Sequence, residues 1–505
     1  MTGGAGGDPG LLPLSDRDPS VPLRDDPDVA AALGEALRRA GYTAQGVERL
    51  VGAGRVDREP AEVPYLVRRV PRDGGAGTLA RLFLVGVPVE AAEAAAALGE
   101  PVVASLRAAG VLVDRPEGVA ATVAVTPVDE GLVVSDWERE DRLPVHADHV
   151  MGLSVSSRML ARLVPRDPVD SALDVGTGGG VQAFLAARHA RRVVATDSNP
   201  RALLLARLAA GLNGVAGVEW RLGDLFAPVA GERFDLVVGN LPYVISPETT
   251  YLFRDGGRGR GLSEDVVRAA PRHLAEGGLA CLMIGWVHGA GEPPWDAVRP
   301  WVRDLGCDAL VLHHSSMDPL EHAAGWNRHH WRDPEAVASG VARWLHHLER
   351  LGAERVAWGA MVLRRRPGPG WFAGFSLPVG EVGVAGAQVR RLVAAQDLLA
   401  GGGEALLDAR LAPAPDHRVS QSARLRAGEA EVDSVVLALD GGLGFRIALD
   451  EVTAGLLGVL DGRRTLREAA AELAAQAGGD AARLAGAVVP AVRRLVELGL
   501  VVPGG

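Results

Sequence analysis

No lysine occurs among the 505 residues, and all 53 basic side chains are arginine. That absence excludes a Walker-type phosphate loop, whose cation is a lysine, and any lysine Schiff-base chemistry. Cysteine is almost missing too. Cys281 and Cys307 stand in apolar surroundings without metal-ligand spacing, so no disulfide scaffold and no metal site are expected, and a reducing cytoplasm is. No apolar run reaches membrane-spanning length, and the N-terminus has no charged stretch followed by an apolar core, so no membrane partner is expected. The net charge of −10 denies nucleic acid a chain-wide attraction, although a local arginine patch could still meet RNA. What is present, 48% hydrophobic and 23% charged residues over this length, suits a soluble globular chain of two to four domains.

Glycine is plentiful, and one cluster of it organises the chain: Asp174-Val-Gly176-Thr177-Gly178-Gly-Gly180. Leu173 to Val175 reads as a short buried strand, and the glycines as a tight turn opening a helix. Such a turn lets backbone approach a ligand closely, and the helix start offers free N–H groups. The spacing is not the Gly-x-Gly-x-x-Gly of dinucleotide sites. An acidic residue in the loop suits a positively charged ligand that lacks a pyrophosphate.

Strands are expected at Ala172–Val175, Arg192–Thr196, Val218–Leu222, Phe234–Gly239, Leu279–Gly285, Ala309–His313 and Val356–Arg364. Helices are expected between them at Val181–Ala190, Arg201–Leu212, Ser263–Leu274, Trp295–Leu305 and Asp333–Leu351. Alternation of this kind predicts a doubly wound, mostly parallel sheet with ligands beyond the carboxyl ends of the strands. Asp197, ending the second strand, can accept both hydroxyls of a ribose. Asp224, ending the third, can accept from an adenine amino group while the Leu225 N–H donates to a ring nitrogen. Thr177 and Ser198 lie in the same turns.

The glycine loop resembles motif I of the class I S-adenosylmethionine-dependent methyltransferases, and Asp197 and Asp224 recur where that family holds its nucleoside. Asn240-Leu241-Pro242-Tyr243, ending the fourth strand, resembles motif IV of the members that methylate nitrogen on a planar group. In that role the Asn240 side-chain oxygen and the Leu241 carbonyl accept from the target N–H groups and aim the lone pair at the methyl. Pro242 stiffens the turn and Tyr243 offers a ring face. The continuation from Val244 to Leu262 is similar to HemK-type glutamine methyltransferases, although Leu241 replaces their proline. Asn-Leu-Pro-Tyr itself is the form of rRNA adenine dimethyltransferases. The resemblance covers residues 146–366 and implies S-adenosyl-L-methionine as cofactor.

The flanks are less legible. Residues 1–20 read as a disordered tail. Residues 21–145 read as helices (Asp28–Ala40, Ala44–Val51, Leu79–Val85, Val89–Leu98, Pro101–Ala109) and two β runs, Val111–Val113 and Val119–Val125, in a winged-helix-like order. Residues 146–164 read as a loop and a helix over the cofactor, with His149 and Arg158 as possible ligand neighbours. Past Arg364-Arg-Arg-Pro-Gly-Pro-Gly370 the composition shifts, marking a boundary between an α/β domain at 146–367 and a C-terminal domain at 371–505. There Val452–Leu460, Thr465–Ala477 and Asp480–Leu498 read as helices, with Pro490 expected to kink the last. This end resembles PqqD-type winged-helix modules that hold leader peptides. The loop Glu248–Arg260, with Arg254, Asp255, Arg258 and Arg260, reads as a substrate lid or a solvated loop. Trp326 and Trp331 read as walls of a pocket, and the histidine pairs as surface or helix residues.

The expected fold is therefore α/β: a seven-stranded Rossmann-like methyltransferase domain flanked by an N-terminal helical, winged-helix-like domain and a C-terminal winged-helix-like one. The expected function is N-methylation of a peptide or protein, with a natural-product precursor as one case. A base of RNA or DNA is the alternative acceptor, and a cofactor-binding regulatory protein without catalysis a third reading.

Overall fold

The computed structural model describes residues 22–52, 63–71, 74–128, 131–137, 146–249, 261–328, 333–380, 382–426 and 429–504. The chain forms two compact units, one of residues 1–161, 168–308 and 316–370, the other of 162–167, 309–315 and 371–505.

The first unit opens with two helices whose starts are capped by side chains. Asp26 accepts from Asp28 N at 3.1 Å and Val29 N at 3.2 Å to start Pro27–Arg39. Thr43 accepts from Gly46 N at 3.0 Å to start Ala44–Val51. Ala91–Leu98 and Glu100–Ala108 also stand where expected, but the segment before them is a short helix, Gly75–Leu79, widening into a π-helix over Ala80–Val85. The β runs differ more. Strand β1 (Leu112–Arg115) pairs antiparallel with β2 (Gly118–Ala121), and β3 (Ala124–Val128) pairs antiparallel with β4 (Gly131–Ser135). The expected single run Val119–Val125 is broken because the Thr122 hydroxyl donates to Gly110 O at 2.7 Å and turns the chain out of the first hairpin.

These N-terminal elements do not build a core of their own. Leu33 and Leu37 share one buried cluster with Leu205, Ala209 and Leu212 of the helix Pro200–Leu212, which belongs to the α/β part. Each such buried leucine contributes about 2 kcal/mol. Asn213 adds a polar tie, accepting from Leu132 N and donating to Leu132 O on β4, both at 2.8 Å.

The α/β part carries β5 (Val169–Val175), β6 (Ala190–Asp197), β7 (Val218–Leu222), β8 (Phe234–Gly239), β9 (Leu274–His288), β10 (Cys307–Met317) and β11 (Arg355–Arg365). In the first unit the order is β11-β9-β8-β5-β6-β7, and β11 alone in that series runs antiparallel, against β9. Residues such as Leu173, Val194 and Val237 are fully buried, as strands covered on both faces require. The chain builds β5, β6 and β7 outward, then returns to place β8 on the other side of β5. A crevice opens at that reversal, beyond the strand ends.

Three boundaries differ from expectation. The helix after the glycine loop spans only Val181–Ala186, because Val169 N already takes His189 O at 3.0 Å and β6 begins at Ala190. The expected helix Trp295–Leu305 is a 3-10 helix, Pro294–Val302, since the ring of Pro300 inside it would clash with the i−4 carbonyl of an α-helix. The helix Pro319–Asn327, capped by Asp318, was not foreseen.

In the second unit the centre of β10 pairs in parallel with β12 (Phe372–Ser376), a strand beyond the joint at Gly370. Farther on, β13 (Leu411–Pro413) pairs with the final strand β17 (Val501–Pro503), and β14 (His417–Arg426), β15 (Glu429–Leu439) and β16 (Arg446–Leu449) form an antiparallel sheet. The helices Glu451–Val459, Leu466–Ala477 and Ala481–Glu497 match the sequence reading, and the last continues across Pro490.

Candidate active site

Beyond the ends of β5, β6, β7 and β8 lies a cavity of about 400 Å³. Its lining includes Asp174, Gly176, Thr177, Gly178, Asp197, Ser198, Asp224, Leu225, Asn240, Leu241, Pro242 and Tyr243. The expected site residues are thus brought together with one exception. Gly180 does not line the cavity; it precedes the helix Val181–Ala186 and faces Ala206.

The glycine loop is shaped by backbone that other residues resist. Gly176, Gly178 and Gly180 have φ of 68°, 53° and 84°. At Gly176 space is short as well, since a Cβ would sit 2.7 Å from Leu241 Cδ2. The loop is then latched from within. Thr177 Oγ1 donates to Asp174 Oδ2 at 2.6 Å, and Gly178 N donates to Asp197 Oδ2 at 2.9 Å. Burial pushes the Asp174 carboxyl up to about 7, against the Thr177 hydrogen bond and with help from nearby Asp197. Burial raises Asp197 also, opposed by backbone N–H groups of Asn199, Gly178 and Ser198. At the end of β7, Leu225 holds φ 46°, a left-handed conformation strained for a non-glycine residue, and Thr196 Oγ1 grips its carbonyl at 3.1 Å.

The asparagine turn is held from three sides. Asn240 Nδ2 donates to Ser157 Oγ at 2.8 Å, while Asn240 Oδ1 is buried without a hydrogen-bond partner. Leu241 packs against the glycine loop. The Tyr243 ring stacks on Trp358 of β11 at 6.0 Å and 16°, and burial raises its phenol, opposed by a hydrogen bond with Ser156. Gly285 on β9 makes room for the turn, for a Cβ there would lie 2.3 Å from Tyr243 O.

Several of these residues escaped the sequence reading. Ser156 and Ser157 stand in the first turn of the helix Val155–Leu163, and Gln182 Nε2 donates to Ser157 O at 3.0 Å. The signal for them was Ser154-Val-Ser156-Ser157, a serine cluster at a helix start, where Ser157 N donates to Ser154 Oγ at 3.1 Å. Gly285 inside a strand pattern was a mark of close backbone approach.

Other expectations divide. His149 lines the cavity and Arg158 does not. Trp326 lines it and stacks on Trp344 at 6.5 Å. Trp331, His329, His330, Tyr251, Arg254, Asp255, Arg258 and Arg260 lie outside the described residues, as does the 1–20 tail. Among the described histidines, His322 Nε2 pairs with Ile245 O at 3.0 Å and His313 with Ser376 Oγ at 3.0 Å. No group of His, Cys, Asp and Glu among the described residues could hold a metal ion.

Residues 150–286 match the family described as Methyltransferase small domain. The match spans β5 to β8 and most of β9. Two domains of unknown function match residues 39–122 and 394–503. The chain is 38% identical over 138 residues to a release factor glutamine methyltransferase of Cereibacter sphaeroides, which covers 24% of this chain and 49% of that protein. It is 38% identical over 128 residues to a ribosomal protein uL3 glutamine methyltransferase of Bradyrhizobium diazoefficiens, covering 22% and 40%. The chain spans about half the length, or less, of these two relatives. A methyltransferase structure from Pyrococcus furiosus aligns with a TM-score of 0.28 at 16% identity, over 46% of this chain and 89% of that one.

The cofactor of this domain class is S-adenosyl-L-methionine, and the cavity fits it. The ionisable side chains of the lining are Asp174, Asp197, Asp224, His149 and Tyr243, with no arginine among the described lining residues. That set suits an ammonium, a sulfonium and a ribose, and holds no arginine for a phosphate.

Proposed function

We propose that the protein is a cytoplasmic S-adenosyl-L-methionine-dependent N-methyltransferase acting on an amide or amino nitrogen of a peptide or protein. One observation carries this reading: Asn240 lines the cavity, and its Oδ1 is a buried acceptor with no hydrogen-bond partner. Buried polar atoms are rarely left orphaned, and at a binding site a ligand is one partner that can satisfy them.

Asp197 would hold the ribose hydroxyls with the lone pairs that Gly178 N and Asn199 N leave over. Asp224 and the Leu225 N–H would hold the adenine, and Asp174 would face the positive charge. When bound, the cofactor supplies an electrophilic methyl on a sulfonium. Asn240 Oδ1 and the Leu241 carbonyl accept from the target N–H groups and turn the nitrogen lone pair towards that methyl. The Tyr243 face, braced by Trp358, packs on the planar acceptor. Excess proton leaves to solvent after transfer, so no tuned base is required.

The relatives named for glutamine methylation support a side-chain amide of a protein as the acceptor class. The resemblance of the C-terminal region to peptide-holding winged-helix modules supports a further reading, in which that region holds the acceptor peptide, such as a ribosomally made natural-product precursor. The test is incubation of the full chain with methyl-labelled cofactor and separate peptide and RNA pools, followed by mass spectrometry. A labelled peptide nitrogen supports the reading. Label confined to RNA, or to no acceptor, overturns it.

A further inference from the structure

The segment that matches a methyltransferase begins at residue 150, yet the cavity wall is fastened from before it. Asp136, just past β4, has a buried side chain, 7% exposed, that receives Arg201 Nε at 3.0 Å on both oxygens and Arg201 Nη2 at 2.5 Å. The same carboxylate accepts from Val150 N at 2.9 Å, and Asp136 N donates back to Val150 O at 3.0 Å. His149 Nδ1 stands 3.9 Å away. From Arg201 the tie continues to the ribose-side turn, where Asn199 Oδ1 accepts from Arg201 N at 2.9 Å and Asn199 Nδ2 donates to Asp148 O at 2.9 Å.

Everything bound here borders the donor side of the cavity. His149, Val150, Met151, Gly152 and Ser154 line it, as do Ser198 and Asn199. Strand β4 touches the glycine loop as well: Val133 lines the cavity, and a Cβ on Gly179 would lie 2.8 Å from Val134 O.

We propose that Asp136 is a positioning residue for the methyl donor, and that the N-terminal region is thereby a structural part of the donor site. Asp136 touches no reacting atom. It pins the wall at 148–154 to the start of the helix Pro200–Leu212, so that both walls keep the spacing the nucleoside needs. A bidentate, buried arginine–carboxylate pair fixes direction as well as distance. The inference rests on the proposed function, in that the cavity must take S-adenosyl-L-methionine.

The test is binding of S-adenosylhomocysteine to the full chain by calorimetry, with thermal unfolding of the unliganded proteins beside it. Asp136→Asn and Arg201→Gln should each weaken binding about tenfold or more, and the double variant should lose no more than either alone. The control is Asp308→Asn, which opens another buried pair, Asp308 with Arg364, in the same unit. It should lower the unfolding temperature and leave affinity unchanged. Wild-type affinity in Asp136→Asn, or an equal loss in Asp308→Asn, overturns the proposal. Should Asp136→Asn not fold, hydrogen exchange on the wild-type protein decides. Homocysteine-form ligand should protect 131–137 together with 148–154, and protection confined to 174–180 and 197–199 counts against it. Wild-type protein that binds no ligand refutes the cofactor reading itself.

Discussion

Ser157 Oγ receives the Asn240 amide nitrogen at 2.8 Å, and so commits that end of the amide within the protein. With Nδ2 committed, Oδ1 is left as a buried acceptor without a hydrogen-bond partner. Replacement of Ser157 by alanine lets the amide rotate. Ser157→Ala should lower turnover on a peptide acceptor about tenfold with S-adenosylhomocysteine affinity retained, and Asn240→Ala should lower it about a hundredfold. Equal turnover in Ser157→Ala and wild type would show that the hydroxyl does not orient Asn240.

Gly176 combines a φ of 68° with a neighbour, Leu241 Cδ2, at 2.7 Å from the place of a Cβ. Gly176→Ala should cost about 1–3 kcal/mol of stability and most of the cofactor affinity. Adding Leu241→Ala relieves the contact but not the backbone strain, so recovery should be partial. Full recovery in the double variant, read by urea unfolding and calorimetry, would place the whole cost in the contact.

Asp174 titrates near neutrality because burial disfavours its charge, raising it to about 7. The folded state holds that proton more tightly than the unfolded chain. This carboxyl therefore contributes stability that is fully present below about pH 4 and is lost as the pH rises through about 7. A cationic ligand favours the ionised form, so cofactor binding near pH 6 should release a proton and tighten towards pH 8. Calorimetry in buffers of different ionisation enthalpy reads the release directly. Asp174→Asn should abolish it, and release that persists in this variant would assign the proton elsewhere.

Gly285 admits the backbone of the asparagine turn, with Tyr243 O only 2.3 Å from where a Cβ would stand. Gly285→Ala must push that turn towards the cavity. Turnover should fall at least tenfold while donor affinity stays near wild type, because the donor residues lie on other strands. A variant that loses both in proportion would mean that β9 simply unfolds.

Much of the catalytic half was legible from residue order. A buried strand, a glycine turn and a helix are local events, so β5 with its loop, and the acidic residues at the ends of β6 and β7, announce themselves without knowledge of neighbours. The asparagine turn after β8 is equally local. The N-terminal β runs were less so, because the break at Thr122 depends on Gly110 O, a partner supplied by the preceding helix end. The β14–β16 sheet also went unread: β14 and its surroundings are largely exposed, so the inside–outside alternation that marks a half-buried strand is weak.

Residue order alone set which groups stand at each strand tip, since hydrophobic runs, glycines and carboxylates act through their own short stretch of chain. Tertiary contacts alone bring Ser157 to Asn240, Trp358 and Gly285 to Tyr243, and Asp136 to Val150 and Arg201. Those pairs are set by strand order and helix crossing, and periodicity reports that a side chain is buried, never against what.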